Sequence, residues 1–380
     1  MIETLTRNAV DILPAGGLER KLKLGRPLRV KFGIDVTAPD VHIGNAIPLQ
    51  RMRAFQDAGH LGVLIIGDYT TRIGDPSGRS VERPILSPEE IDRNAQTYLA
   101  QAGKVIDLDR TEVRFNGEWL GALDFAEVVR ITRTLTVAQL LERDDFAKRF
   151  AAREPISVSE LLYPLMQGYD SVAVNADVEL GGTDQLYNLL AGRALQEAYG
   201  QEPQIVLTTP LLLGFDGQKM SASRRNYVGL AEPPEEQFGK TMRLSDELLS
   251  DYYRLVLQDD LPAVEPMEAK LALARWIVAR SYGEGAATLA EAHFTRVVRE
   301  GQAPDDVPAV ALPEGDPVHL PALLAAAFGL STSEARRLIG QGGLKVDGVA
   351  VTDLDVPRAD LVDATLQAGK RRFAKLRQTA

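Results

Sequence analysis

Short apolar runs alternate with amphipathic stretches through the first half of the chain. Leu28 to Phe32 and Val63 to Ile66 are predicted as strands, and Gly44 to Ala58 between them has a helical pattern. A continuous apolar run is typical of a strand that is buried on both faces in a parallel sheet. Strand, helix and strand in succession therefore predict an α/β domain with a parallel sheet and crossover helices.

The middle of the chain is predicted to interrupt this sheet and then resume it. Residues 87–169 are mostly helical in pattern and are predicted as an insertion between two halves of the sheet. Ala176 to Leu180 and Gln204 to Leu207 return to strand, with a helix from Asp184 to Tyr199 between them. We therefore assign residues 1–225 to one catalytic domain.

The second half of the chain has a different pattern. Residues 226–301 are predicted as an α-helical domain, and residues 302–317, with four prolines and several acids, as an interdomain linker. In residues 318–380, Ser331 is a good N-cap and Asp347-Gly348 is a strong hairpin signal. The chain therefore ends in a small α+β module.

Composition excludes several kinds of chemistry. The sequence has no cysteine, and its four histidines lack metal-ligand spacing, so no protein-bound metal is expected. Because neither a membrane span nor a secretory pattern is evident, we expect a cytoplasmic protein with no membrane contact. The net charge of −10 argues against indiscriminate nucleic-acid binding. Residues 370–380, with five basic and no acidic side chains, could still bind RNA locally or be a solvated tail.

Two short runs suggest that the chain handles phosphates. His42 and Gly44 stand at a predicted helix start, where backbone N–H groups attract anions, and Thr37 offers a hydroxyl nearby. A second run, Lys219 to Ser223 (KMSAS), follows 177 residues after His42. A capped helix with a surface histidine is the simpler interpretation of the first run alone. The sequence has no Walker-type glycine-lysine loop, so it does not support P-loop ATPase chemistry.

Several runs together resemble one family, the bacterial tyrosyl-tRNA synthetases of class I. Residues 32–45 (FGIDVTAPDVHIGN) and the KMSAS run are similar to its two ATP motifs. Residues 73–78 (IGDPSG), the Tyr-x-x-x-Gln-x-x-Asp spacing from residue 163, and residues 179–185 (ELGGTDQ) are similar to its other loops. The resemblance covers about residues 28–230 and resumes at the C-terminal module. It implies a Rossmann-like catalytic domain with ATP as substrate and Mg²⁺ carried on the ATP phosphates.

The predicted amino-acid pocket centres on one helix face. Tyr163, Gln167 and Asp170 lie at i, i+4 and i+7, although a polar helix surface is the simpler interpretation of the three alone. The resemblance assigns Tyr163, Gln167 and Asp75 to the ammonium group of L-tyrosine, and Asp170 to its phenol. Phenylalanine has no hydroxyl for this carboxylate, so its binding would leave the group unpaired and would be disfavoured. Lys31 stands where the family usually has a second phenol contact, and it could bond the phenol or point elsewhere.

The resemblance also assigns the ATP site. Gly182 and Asp184 would contact the ribose and Gln185 the amino-acid carbonyl, although a turn with Asp184 as N-cap is the simpler interpretation. The implied catalytic residues are His42, Asn45, Thr37 and Lys219, and the implied ATP-binding residues are Gly44, Asp35, Gly182, Asp184, Ser221, Ser223 and Arg224. Asn45 and Ala222 replace the usual histidine and lysine. We hypothesise that Arg224 or Arg225 supplies the charge lost at Ala222.

The C-terminal module resembles the RNA-binding domain named after ribosomal small-subunit protein four, over residues 331–351. This implies tRNA(Tyr) as a partner, and the family resemblance implies a homodimer. The candidate RNA-binding residues are Arg336, Arg337, Lys345, Lys370 and Arg371. Three alternatives remain open: a tryptophanyl relative, a paralogue that binds RNA without aminoacylating it, and another adenylyltransferase of the superfamily.

Overall fold

The structure, a computed structural model, describes residues 1–75, 86–300, 307–369 and 372–378. Its contacts divide the chain into two compact units, Met1–Trp276 and Ile277–Ala380. In these described ranges, no helix is both long and apolar enough to span a bilayer. The finer division into domains at residues 225, 301 and 317 stays a prediction.

A six-stranded sheet forms the centre of the first unit. Its strands are β1 (Ile12–Leu13), β2 (Arg29–Ile34), β3 (Leu61–Ile66), β4 (Thr111–Phe115), β5 (Val178–Gly182) and β6 (Ile205–Thr209). The strand order is β1-β6-β5-β2-β3-β4, and all neighbours are parallel except β1, which is antiparallel to β6. Because β2 lies between β3 and β5, the connections run outward in opposite directions from β2. The carboxyl ends of β2 and β5 therefore form the switch-point crevice where α/β proteins bind ligands.

Helices cover this sheet and extend beyond it. They are α1 (Ile2–Leu5), α2 (Gly17–Leu22), α3 (Ile43–Asp57), α4 (Pro88–Ala102), α5 (Gly117–Leu120), α6 (Phe125–Thr132), α7 (Val137–Leu141), α8 (Asp144–Ala151), α9 (Val158–Ala173), α10 (Leu186–Ala198), α11 (Pro234–Thr241), α12 (Leu249–Tyr252) and α13 (Pro266–Tyr282). The boundary between the two units falls within α13. Buried apolar side chains of β2, β3 and α3 form part of the core.

The predicted α/β class is confirmed, but one strand was missed. Thr111–Phe115, inside the segment predicted as a helical insertion, is the edge strand β4 and pairs in parallel with β3. All five of its residues are only half-buried, because an edge strand is covered less than a central one. Its sequence, TEVRF, therefore lacks the apolar run that identifies β3.

Helix α9 is held close to α10 at two glycines. A Cβ atom on Gly168 would lie 2.6 Å from Cδ1 of Leu195 and 3.1 Å from the backbone nitrogen of Gly192. The glycine therefore permits an approach that any side chain would block. This contact fixes the helix that carries three predicted tyrosine-binding residues.

The second unit contains α14 (Glu284–Phe294) and a small α+β module. The elements of the module are β7 (Ala309–Leu312), β8 (Val318–His319), α15 (Leu320–Phe328), α16 (Thr332–Gly340), β9 (Leu344–Val346), β10 (Val349–Ala350), β11 (Asp355–Val356), β12 (Thr365–Ala368) and β13 (Arg372–Gln378). A five-stranded sheet has the order β10-β9-β12-β13-β7, and β8 pairs with β11. Leu312, Ile339 and Leu376 belong to its buried apolar cluster.

Two predictions for this unit need correction. Ala309–Leu312, predicted as part of a linker, is a strand paired in parallel with β13. Arg372–Gln378, predicted as part of a basic tail, is a strand between β12 and β7. In β13 the buried Phe373, Ala374 and Leu376 interrupt the basic residues, so the segment packs on the core although it is rich in charge.

Candidate active site

Most of the predicted site residues meet in one cleft at the carboxyl ends of β2 and β5. The cleft has a volume of about 1190 Å³. The predicted residues that line it are Asp35, Thr37, His42, Gly44, Asn45, Asp75, Tyr163, Gln167, Asp170, Gly182, Asp184, Gln185, Lys219, Ser221 and Arg224. The side chain of Ser223 lies outside the described part of the protein.

His42 begins α3 as its N-cap. Nδ1 of His42 accepts a hydrogen bond from the backbone N–H of Asn45 at 3.3 Å, and the His42 N–H donates to Oδ1 of Asn45 at 3.3 Å. A ring whose Nδ1 accepts carries its proton on Nε2 when neutral. Burial, with a smaller effect of the Lys219 charge, lowers the pKa of His42 to about 4. His42 is therefore a neutral N–H donor at pH 7.

The loop before α3 is hydrogen-bonded to the segment after the KMSAS run. The backbone N–H of Ile43 donates to the Val228 carbonyl at 3.0 Å, and that of Leu230 donates to the Val41 carbonyl at 2.8 Å. Backbone hydrogen bonds thus join the first candidate ATP motif to the segment that follows the second.

Gly44 leaves room for the ring of His42, which lies close to its backbone. A Cβ atom at this position would lie 3.0 Å from Nδ1 of His42 and 3.4 Å from Sδ of Met220. A side chain there would push the histidine from its capping position. The open backbone leaves the N-terminal turn of α3 accessible to an anion.

Lys219 is bound to Asp184 across the cleft. Its Nζ atom lies 2.5 Å from Oδ2 of Asp184, and the two side chains are 45% and 21% exposed. Asp184 lies in the 3₁₀ turn Thr183–Gln185 that follows β5. Two side chains expected to contact different parts of a nucleotide therefore form an ion pair with each other.

Arg224 and Arg225 both line the cleft beside Ala222. Ala222–Arg224 is a 3₁₀ turn, and Oγ of Ser221 accepts a hydrogen bond from the Arg224 backbone N–H at 3.4 Å. Arg225 has a φ of 52°, which sends the chain in a new direction after this turn. Two arginines thus line the cleft next to Ala222, the position at which the resemblance leads us to expect a lysine.

Helix α9 forms the wall that faces the first motif. The Tyr163 hydroxyl donates to Oδ2 of Asp35 at 3.0 Å, and the Thr70 hydroxyl donates to Oδ1 of Asp35 at 2.7 Å. Asp35 follows β2, so its carboxylate joins the end of this strand to α9. It lies at the border between the predicted ATP site and the predicted amino-acid pocket.

Asp170 lies at the buried end of the cleft and is 3% exposed. Its Oδ1 accepts from Nε1 of Trp119 at 2.8 Å, and its Oδ2 accepts from Nδ2 of Asn116 at 3.3 Å. Burial raises the pKa of this carboxyl to about 7, against the opposing effects of the Lys31 charge and the two hydrogen bonds. Asp170 therefore changes its charge near neutral pH.

Lys31 does not line the cleft, so its predicted contact with the tyrosine phenol is wrong. Its side chain is 0% exposed, and its Nζ atom lies 2.8 Å from Oε1 of Glu179. A lysine at this depth needs a counter-charge, and Glu179 stands directly opposite on β5. The ion pair explains why the lysine points away from the pocket.

Asp75 belongs to a closed ring of four side chains. Nε2 of Gln185 donates to Asp75 at 2.8 Å, and Nδ2 of Asn188 donates to Oε1 of Gln185 at 2.9 Å. Arg143 closes the ring by donating to Asn188 at 2.9 Å and to Asp75 at 3.5 Å. The ring connects Asp75, in the loop that follows β3, to α10.

Several residues of the site were not predicted from the sequence. They are Asn116, Trp119, Arg143, Asn188 and Lys240; of these, Asn116 and Lys240 line the cleft. Asn116 directly follows β4, so recognising that strand would have placed its side chain at the carboxyl edge of the sheet. No comparable periodic signal marks Arg143 or Lys240.

The chain is similar to known proteins over nearly its whole length. The family described as tRNA synthetases class I (W and Y) matches residues 23–294. The tyrosine–tRNA ligase of Moorella thermoacetica is 50% identical over 393 residues, which cover 99% of this chain and 95% of the relative. That of Geobacter sulfurreducens is 50% identical over 391 residues, with 98% and 97% covered.

Solved structures are similar in fold. The tyrosyl-tRNA synthetase of Archaeoglobus fulgidus complexed with L-tyrosine has a TM-score of 0.63 and 22% identity, and the match covers 76% of this chain and 98% of that one. The tyrosyl-tRNA synthetase of Aeropyrum pernix has a TM-score of 0.60 and 19% identity, with 76% and 97% covered.

Proposed function

The chain belongs to the tyrosine–tRNA ligase family of the class I tRNA synthetases, and on this basis we propose that it ligates tyrosine to tRNA. A carboxylate oxygen of L-tyrosine attacks the α-phosphorus of ATP, and pyrophosphate leaves with the bonding electrons. A hydroxyl of the terminal ribose of tRNA(Tyr) then attacks the carbonyl carbon of the resulting tyrosyl-adenylate, so that an ester forms and AMP leaves. The observation that best supports this proposal is that one cleft contains Asp170, His42 and Lys219.

Catalysis in this proposal needs no side-chain nucleophile. The enzyme aligns the carboxylate with the α-phosphorus and stabilises the charge that develops on pyrophosphate. His42 donates from Nε2, Thr37 from its hydroxyl, and Asn45 from its amide, since Oδ1 of Asn45 already accepts from the His42 backbone. The N-terminal turn of α3 adds its own positive potential.

The cations of the second motif complete the phosphate site. Lys219 leaves Asp184 when the nucleotide enters and pairs with pyrophosphate, which frees the Asp184 carboxylate for the ribose. Arg224 or Arg225 provides the charge missing at Ala222. We propose that Mg²⁺ enters with the ATP phosphates rather than in a site of its own.

The amino acid binds against α9. Its ammonium group donates hydrogen bonds to Tyr163, Gln167 and Asp75. Its phenol hydroxyl donates a hydrogen bond to the Asp170 carboxylate. Trp119 and Asn116 already donate to Asp170, so they orient the carboxylate before the substrate arrives. Phenylalanine would leave this buried group without its third donor.

The C-terminal module supplies contacts to tRNA. Arg336 and Arg337 on α16 and Lys345 on β9 are all exposed, so they are free to approach phosphates, which give affinity without sequence reading. Lys370 and Arg371 lie outside the described residues. The module resembles one that recognises structured RNA by shape.

Exposed apolar side chains support the proposal of a homodimer. Phe125 is 82% exposed, Phe150 65% and Val158 74%, and they lie on α6, α8 and α9, all in the helical part between β4 and β5. Large apolar side chains that are exposed at a surface can mark a site of contact with another protein. We propose that this helical part meets its copy in a dimer and that the dimer is cytoplasmic.

Amino-acid-dependent exchange of labelled pyrophosphate into ATP tests the function. Each of the twenty amino acids is supplied alone, followed by charging of tRNA(Tyr) transcript with the amino acid that supports exchange. We expect exchange and charging with tyrosine only. Exchange with tryptophan would favour the tryptophanyl relative, and RNA binding without any exchange would favour a paralogue that does not aminoacylate.

A further inference from the structure

The buried ammonium group of Lys31 has three acceptors. It lies 2.8 Å from Oε1 of Glu179, 2.8 Å from Oγ of Ser171 and 3.0 Å from the carbonyl of Gln167. A protonated lysine has three N–H donors, so these acceptors use all of them. Lys31 is therefore fixed in place and cannot contact a substrate.

Glu179 is bound just as completely. It lies opposite Lys31 in the register between β5 and β2. Its Oε1 is also 3.4 Å from Nε2 of Gln167, and its Oε2 accepts from the Ser171 hydroxyl at 3.2 Å and from Nε2 of Gln204. Both carboxylate oxygens therefore have two donors each.

The partners of this ion pair include the helix that forms the amino-acid pocket. Gln167 and Ser171 lie one turn apart on α9, and Asp170 lies between them. The backbone of Gln167 accepts from Lys31 while its side chain approaches Glu179. The pair thus holds the turn of α9 that presents the side chains of Gln167 and Asp170 to the cleft.

The same pair acts on Asp170 through space. The Lys31 charge lowers the pKa of Asp170 and the Glu179 charge raises it by a smaller amount, while burial dominates. The other groups that face Asp170 are neutral donors, Trp119 on α5 and Asn116 at the end of β4. The net field of the pair favours the carboxylate form.

We propose that the Lys31–Glu179 ion pair is a positioning pair for tyrosine recognition, which fixes Gln167 and Asp170 on α9 and favours the charged form of Asp170. The proposal rests on tyrosine activation as the function. Lys31 and Glu179 touch no reacting atom. Their role is to make the pocket select a substrate with a hydroxyl donor, because phenylalanine leaves a charged, buried Asp170 without its third donor.

Two variants give opposite expected shifts. In Glu179→Gln, the lysine charge remains without its counter-charge, so the pH midpoint of kcat/KM for tyrosine should move down. In Lys31→Met/Glu179→Gln, both charges are gone, and the midpoint should move up, because the effect of Lys31 is the larger. The double variant leaves no unpaired charge in the core, and it keeps acceptors for Ser171 and Gln204.

The measurement is tyrosine-dependent pyrophosphate exchange between pH 5 and pH 9, with phenylalanine as the competing probe. We expect the double variant to raise KM for tyrosine and to lower the preference for tyrosine over phenylalanine, each by about tenfold. The KM for ATP should change by less than about twofold, since the pair lies behind the amino-acid pocket.

The matched control is Arg149→Met/Glu160→Gln. It removes another buried ion pair that also involves α9, but at its first turn. We expect the control to lower the melting temperature without moving the pH midpoint.

Equal midpoints in wild type and both test variants, or shifts of the same sign, would overturn the proposal. If Glu179→Gln does not fold because its buried lysine charge is unpaired, the upward shift in the double variant decides alone. Lack of tyrosine exchange in the wild type would instead overturn the proposed function.

Discussion

Lys219 and Asp184 form an ion pair across the cleft, with Nζ 2.5 Å from Oδ2. One belongs to the KMSAS run and the other to the turn after β5, so the pair joins opposite walls. Both side chains are partly exposed, which makes the pair weak enough for a polyanion to exchange partners with it. The ammonium group of Lys219 can therefore exchange the Asp184 carboxylate for another anion in the cleft.

Replacing Lys219 should affect the chemical step more than substrate binding. We expect Lys219→Met to lower kcat for pyrophosphate exchange by about 10²–10³, because a cation stabilises the leaving group mainly in the transition state. Lys219→Arg should retain more activity. The measurement is kcat and KM for ATP and tyrosine. A higher KM for ATP with an unchanged kcat would show that Lys219 contributes to ATP binding instead.

The substitute for the charge missing at Ala222 can be found by removing one arginine at a time. We expect Arg224→Ala or Arg225→Ala to lower the rate of adenylate formation by about tenfold or more. Arg243→Ala is the control, since Arg243 lies 3.9 Å over the ring of Phe215 rather than in the lining of the cleft. Single-turnover kinetics measure the rate. Unchanged rates in both test variants would contradict the hypothesis.

His42 should act as a neutral hydrogen-bond donor, so a positive charge on its ring is not required. We expect His42→Gln, which keeps an N–H donor, to retain more exchange activity than His42→Ala, with about tenfold between them. If His42→Gln loses at least as much exchange activity as His42→Ala, an N–H donor alone is not sufficient and the prediction is wrong.

The acid stability of the protein should also depend on His42. The pKa of this ring falls from its ordinary 6.5 to about 4 on folding, so the fold favours its neutral form. The stabilisation is present above pH 6.5 and is lost as the pH falls toward 4. Between pH 7.5 and pH 4.5, we expect the melting temperature of the wild type to fall further than that of His42→Gln. An equal fall in both proteins would contradict this prediction.

Discrimination between tyrosine and phenylalanine should depend on pH through Asp170. Because the pKa of this carboxyl is about 7, the charged form dominates above pH 7 and the protonated form below. We expect a higher ratio of kcat/KM for tyrosine over phenylalanine at pH 8 than at pH 6. Asp170→Asn should reduce the ratio by about 10- to 100-fold and remove its pH dependence. A ratio that stays constant with pH in the wild type would exclude this role.

A charge on the exposed apolar surface should prevent dimer formation. We expect Phe125→Glu/Phe150→Glu to sediment as a monomer while the wild type sediments as a dimer, because a carboxylate resists burial in an apolar interface. Val349→Glu is the control, since Val349 is a similarly exposed residue on β10 of the C-terminal module. Sedimentation velocity gives the masses. A wild-type monomer would overturn the homodimer proposal.

The sequence predicted the fold where its apolar pattern was strong. β3 is an uninterrupted apolar run and was recognised, whereas the edge strand β4 carries polar residues on faces that are only partly covered. β7 is apolar but has only four residues, and prolines precede and follow it, so it was assigned to the linker. β13 was hidden by its basic residues, which alternate with buried ones. Edge position and charge both weaken the pattern that identifies a strand.

The site was predicted where the chemistry lies close together in the sequence. The spacing of Tyr163, Gln167 and Asp170 was sufficient to place them on one helix face, and the family resemblance assigned that face to the amino-acid pocket. Lys31 was assigned wrongly because its partner Glu179 lies 148 positions away on a neighbouring strand. Long-range pairing of this kind depends on strand order and register, which a local pattern does not contain.

The backbone hydrogen bonds from Ile43 to Val228 and from Leu230 to Val41 have a consequence for biosynthesis. A ribosome makes the chain from the N-terminus, so the loop around His42 emerges long before its partners. Until Leu230 has left the exit tunnel, these groups of the loop can bond only to water. A nascent or truncated chain that stops short of this residue would therefore contain the whole first motif and still lack a formed nucleotide site.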